Sequence, residues 1–161
     1  MVRLRARAPR GERAYGAVPR NRGRNTTLIA SMSLGGMGEA VAFEGATDTK
    51  AFEAYIEHFL APALCEGQVV VLDNLGAHKG KRVRELVEAR GCELMFLPAY
   101  SPDFSPIEEA FSKLKALLRK AAARTREALV EAIAAALSAV TSEDAKGFFG
   151  HCGYLPSAQT S

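Results

Sequence analysis

Two carboxylates stand where they could do chemistry together. Asp73 closes the apolar run QVVVLDN, and Glu108 stands in SPIEEAF, with 34 residues between them. That interval holds one helix and one strand, enough to bring the two acids side by side. Clustered carboxylates are what a divalent-metal site for phosphoryl transfer requires. Mg²⁺ prefers oxygen ligands, and a pair of ions roughly 3.5–4 Å apart activates a nucleophile while steadying the leaving oxygen. Asn74 and His78 lie close enough to Asp73 to be accessory groups, His78 by touching a phosphate or scissile group. Lys79 follows as a candidate cation for a phosphate backbone. Beyond Glu108, the residues Ser112, Lys115 and Arg119 recur at steps of four, three and four, so they share one helical face with it. Lys115 and Arg119 would continue a basic stripe from the candidate metal ligand along a bound phosphate chain.

Each of these residues also has a purely structural role open to it. Ser105-Pro106-Ile107-Glu108 has the form of a capping box with proline at the first helical position. Asp73-Asn74 could cap the turn that follows it. Asp103 sits in Ser-Pro-Asp, which is good turn chemistry. His78 could be an ordinary loop histidine, and the stripe through Lys115 an ordinary solvated face.

The elements that must position these groups follow from pattern. TLIASMSL is a short β-compatible run ended by Gly35-Gly36, and EAVAFEG follows Gly38, so the two predict a hairpin. Asp48 or Thr49 can cap a helix whose Phe52, Tyr55, Ile56, Phe59 and Leu60 recur at helical spacing, and Pro62 ends or kinks it. QVVVLDN reads as a strand buried on both faces because it is apolar without alternation. Its last residue, Asp73, would emerge at the sheet's carboxyl edge, where open α/β sheets place ligands. A helix over about 79–90 stopped by Gly91, the strand CELMFL, and a turn-rich stretch into a helix opened by Ser105-Pro106 come next. Ile107, Ala110, Phe111, Leu114, Leu117 and Leu118 form the apolar stripe of that helix, and further helices are expected near 125–140 and 142–149. The order β-β-α-β-α-β followed by helices predicts an α/β domain with mixed strand directions.

Composition narrows the class. The chain has 161 residues, 48% hydrophobic and 24% charged, which excludes a fibrous or disordered protein. No apolar run approaches the roughly 20 residues that span a bilayer, and MVRLRARAPRGER lacks the apolar stretch of a secretory signal. Cys65, Cys92 and Cys152 are scattered and odd in number, against a disulfide scaffold or zinc cluster. These features predict a soluble, cytoplasmic protein with no membrane partner. The net charge of +3 hides an asymmetry: residues 1–25 carry eight arginines against Glu12 alone, or +7, and the rest carries −4. A basic arm on a mildly acidic body is a frequent footprint of a nucleic-acid partner, and also the composition of a solvated terminus. The expected division is a basic arm over 1–25, a partial catalytic domain over 26–150 and a C-terminal tail over 151–161.

Segments 69–80 and 96–115 resemble the catalytic core of bacterial insertion-sequence transposases of the mariner superfamily. That signature is a hydrophobic strand ending in Asp-Asn with a nearby His, then a Leu-Pro-x-Tyr-Ser-Pro-Asp-x-x-Pro-Ile-Glu block, matched here from Leu97 to Glu108. The likeness extends upstream through RAPRGERAYGAVP and downstream through LKALLRKAAART to Gly153-Tyr154. The resemblance implies a ribonuclease-H-like, retroviral-integrase-like mixed sheet flanked by helices, carrying an Asp-Asp-Glu triad. In it Asp73 matches the second acid and Glu108 the third. It further implies two Mg²⁺ or Mn²⁺ ions, water attack at an element end, and transfer of the freed 3′-hydroxyl to target DNA. The partners implied are element-end and target DNA and a homo-oligomer when intact, in the nucleoid-associated cytoplasm.

The sequence departs from that family at the first acid. The first catalytic Asp normally ends a hydrophobic strand closing with Asp-Glu, and no acid before Asp73 stands in such a setting. No helix-turn-helix DNA-binding segment is recognisable either. In the family's fold the first strand is central, so its loss would leave buried backbone groups unpaired at about 1–3 kcal/mol each. The expectation is therefore a transposase catalytic-domain fragment, inactive alone, whose missing part would come from a full-length or upstream-encoded transposase portion. Two other readings stay open: a non-catalytic DNA-binding or dimerisation module that regulates a full-length transposase, and a decayed remnant.

Overall fold

The computed structural model describes residues 25–99 and 101–154. The expected basic arm, apart from Asn25, and the tail beyond Tyr154 lie outside the described residues.

Strands β1 (Thr26–Ser33) and β2 (Gly36–Glu44) form the expected antiparallel hairpin. Gly36 turns the corner at φ +118°, and a Cβ there would stand 3.0 Å from the Val140 carbonyl oxygen, so this position needs glycine twice over. The register slips between Ala30 and Met32. Next to that slip the Glu39 carbonyl accepts from the Tyr55 hydroxyl at 2.8 Å, tying the hairpin to the first helix. That helix, α1 (Thr49–Tyr55), is capped by Asp48, whose Oδ1 accepts from the Ala51 N–H at 2.8 Å. It continues through a π-helical turn (Ile56–Leu60) into α2 (Ala61–Ala63). Pro62 does not stop the helix on the spot. The widened turn ahead of it accommodates the missing N–H and the ring, and the chain becomes extended only at Leu64.

Strand β3 (Val69–Leu72) and strand β4 (Glu93–Phe96) pair in parallel, and α3 (Lys81–Glu88) is the crossover between them. Helices α4 (Pro106–Ala121), α5 (Arg126–Ser138) and α6 (Ser142–His151) complete the chain. The expected element order and mixed strand directions are therefore present.

Two cores share the hairpin. In the first, Phe52, Tyr55, Ile56, Leu60, Val83 and Val87 pack on Val70 and Leu94, with Ile29, Val41, Leu72 and Phe96 at the margin. In the second, Ala110, Leu114, Ala136 and Val140 pack with Leu28, Met32 and Met37 from the other face of the hairpin. Both two-stranded sheets thus turn one face to the same helical layer, as two halves of one sheet would. Among the described residues, no strand joins them.

One expectation fails here. β3 is not buried on both faces, because Val69 and Val71 are 49% and 40% exposed and Met95 beside them is 49% exposed. The cause is placement of the second helical layer. Helices α4–α6 cover the hairpin, and among the described residues no helix covers the outer face of β3 and β4.

Candidate functional site

The parallel pairing of β3 and β4 sets the site. Leu72 is opposite Phe96, and the Leu97 N–H donates to the Leu72 carbonyl at 2.8 Å, so both strands end at one edge. Asp73 is the first residue past that edge. The chain leaving β4 passes a 3-10 turn (Pro102–Phe104) and enters α4, whose first turn carries Glu108.

Asp73 is held by its own neighbours. Its Oδ1 accepts from the Leu75 N–H at 3.2 Å, closing a local turn. The same oxygen lies against His78 Nδ1. That nitrogen is buried and makes no well-aligned hydrogen bond among the described residues. The ring is fixed from behind: His78, on the 3-10 turn Gly76–His78, stacks on Phe52 with centroids 3.9 Å apart. Both contacts fall on Oδ1, so Oδ2 carries none among the described residues. The turn-capping role open to Asp73 is therefore realised, on one oxygen only.

Glu108 is arranged differently. Ser105 makes no side-chain cap hydrogen bond, so the capping box legible in the sequence does not form. The Glu108 carboxylate is exposed and has no hydrogen bond or ion pair among the described residues. Ser112, Lys115 and Arg119 are exposed on the same face, while Ala110 and Leu114 are buried in the second core. Lys79 is exposed beside His78, and Lys79, Lys115 and Arg119 have no acidic partner within salt-bridge distance among the described residues. Asn74 is half-buried and Asp103 exposed in the 3-10 turn.

The donor chemistry suits a hard divalent cation, which takes carboxylate oxygens. The donor number does not. Among the described residues, no group of three or more His, Cys, Asp or Glu side chains is placed to hold a metal. Sequence reasoning missed Phe52 as the backing of His78, since its helical spacing marked it only as core. It also gave no role to His151 and Tyr154, although the family likeness runs as far as Gly153-Tyr154; both reach the start of α4 from the far end of the chain.

A family model described as "DDE superfamily endonuclease" matches residues 1–130. A search of curated proteins finds no match. Among solved structures, the Mos1 strand transfer complex is similar at TM-score 0.72 and 18% identity, covering 93% of this chain and 47% of that one. The Mos1 transposase paired-end complex with left transposon end gives 0.71 and 19%, with the same coverages. The Mos1 mariner paired end complex with Mn gives 0.64 and 18%, covering 91% and 47%. The chain thus spans about half the length of these transposase chains, and its fold is that of their ribonuclease-H-like catalytic domain.

Proposed function

We propose, from the premise that the chain belongs to the DDE superfamily endonuclease family, that it supplies the second and third carboxylates, Asp73 and Glu108, of a transposase catalytic domain. The reaction is metal-dependent cleavage and transfer of DNA strands. The observation that carries this reading is the parallel β3–β4 pair, which brings Asp73 and the approach to Glu108 to one sheet edge.

The family uses divalent metal ions. Bound here, such an ion, Mg²⁺ or Mn²⁺, would supply charge stabilisation to a phosphoryl centre. The chain's own contribution is to hold. His78 and the Leu75 N–H engage Asp73 Oδ1 and leave Oδ2 open, while α4 presents Glu108 to solvent. Because the described residues provide two carboxylates rather than three, the reaction needs a further carboxylate, on a strand that fits between the hairpin and β3. Element-end and target DNA are the partners, a full-length or upstream-encoded transposase portion supplies the rest, and the intact enzyme is an oligomer in the cytoplasm.

The test uses the purified chain. Mn²⁺ titrated into the protein should broaden the resonances around Asp73 and Glu108, and Asp73→Ala or Glu108→Ala should abolish the response. The chain alone should not nick supercoiled DNA. Nicking lost on Asp73→Ala would show that the two acids suffice and overturn the need for a third.

A second reading, a DNA-binding module without cleavage, is favoured by the cations Lys79, Lys115 and Arg119, which have no acidic partner among the described residues. Removing any one should lower the slope of log affinity against log salt by about 1.

A further inference from the structure

The first turn of α4 is not secured by its own cap. Ser105 gives no side-chain hydrogen bond, Pro106 has no N–H, and the Glu108 N–H returns only to the Ser105 carbonyl at 3.0 Å. Besides the burial of Pro106 and Ala110, this turn is held from the end of α6. His151, the last residue of that helix, places Nδ1 2.5 Å from Glu109 Oε1, 42 residues away in sequence. The Glu109 carboxylate raises the His151 pKa above its ordinary value, which favours the charged pair. The Tyr154 hydroxyl donates to the Phe104 carbonyl at 2.7 Å, catching the last residue of the 3-10 turn that leads into α4.

Tyr154 is itself placed. Gly153 reverses the chain at φ +82°, the Tyr154 N–H donates to the Phe149 carbonyl at 2.9 Å, and its ring meets Phe149 edge-on at 5.8 Å. One helical turn beyond Glu109, Lys113 Nζ pairs with Asp144 Oδ2 at 2.6 Å, so α6 grips α4 at a third point. Asp144 in turn closes a capping box with Thr141. Tyr154 therefore ties down the stretch that enters α4, and His151 adds a tether to a first turn whose rotation the buried Ala110 and Leu114 already set. Glu108 is the chain neighbour of the residue so held.

We propose that His151 and Tyr154 are positioning residues for Glu108, forming a clamp that takes the place of the absent helix cap. The role assigned rests on reading Glu108 as a metal-binding carboxylate.

The experiment is NMR on the full chain with Mn²⁺ alone as the probe, comparing wild type, His151→Ala, Tyr154→Phe and His151→Lys. In His151→Ala and Tyr154→Phe, amide exchange over 107–110 should quicken about fivefold, the loss expected for one surface hydrogen bond. Exchange at Val83 and Val87 in α3 should stay unchanged. The Mn²⁺ concentration that half-broadens the Asp73 and Glu108 resonances, which report one shared site, should rise by a similar factor, and His151→Lys, which keeps a cation beside Glu109, should restore it. Unchanged exchange over 107–110 overturns the clamp. Equal acceleration in α3 also overturns it, because that reports general destabilisation. If Mn²⁺ broadens neither carboxylate in wild type, the metal reading of Glu108 and the role given to the clamp both fall. The exchange data would still decide whether the clamp exists.

Discussion

Asp73 and Glu108 meet opposite structural regimes. Asp73 follows directly on β3, whose inner face is in the first core, and its Oδ1 is engaged by a neighbouring N–H and by a histidine stacked on the core residue Phe52. Everything that orients it, Phe52 apart, comes within five residues of chain. Glu108 rides an uncapped helix start, its carboxylate is free among the described residues, and its backbone is steadied by surface contacts from 42 and 50 residues downstream. One acid is set by burial behind it, the other by docking of one helix on another. A site built this way has a rigid half and an adjustable half.

The largest expected effect tests the rigid half. Phe52→Ala removes a buried ring and the stacking surface of His78, and should cost about 3–5 kcal/mol in urea unfolding. An intact His78 environment by NMR in that variant would break the account of how Asp73 is held. Leu114→Ala in the second core should cost about 2–5 kcal/mol. It should loosen α4 and Glu108 before Asp73; simultaneous loosening of both would show that the shared hairpin makes the two halves one unit.

The smaller predictions concern pH and act on the adjustable half. Lys113, and then Thr141, hold the Asp144 carboxyl down to about 2. A depressed carboxylate stabilises above its unfolded pKa of about 3.8 and loses that contribution as pH falls towards about 2. Stability measured from pH 4 to 2 should therefore fall less steeply in Asp144→Asn than in wild type. His151 shifts the other way. Its pKa is raised by Glu109, so its contribution is complete below the unfolded value of 6.5 and fades as pH climbs through the higher folded value. Exchange over 107–110 should quicken across that alkaline step in wild type and lose the step in His151→Ala. The pair is exposed, so this effect should be the smallest.

Several elements were legible because their signals are local. Asp48 caps α1 as its side chain predicts, Gly91 ends the α3 region at φ +70°, and the alternation in EAVAFEG yields β2. The face holding Glu108, Ser112, Lys115 and Arg119 is exposed as its spacing requires. The apolar run VVVL was misjudged because unbroken hydrophobicity gives no account of which helices arrive to cover it. Ser105 and Glu108 have capping-box identities, yet the box does not close. Thr141 and Asp144 close one instead, where Asp144 also meets Lys113.

The sequence alone determined the elements, the two acids and the family likeness, since periodicity, turn chemistry and a continuous twelve-residue block all act over short stretches of chain. Tertiary structure decided what holds each acid. It stacked His78 on Phe52, left the outer face of β3 uncovered among the described residues, and brought His151 and Tyr154 to the start of α4. Those outcomes depend on where whole helices dock, and docking is fixed by the summed burial of surfaces distant in sequence, which no single segment encodes.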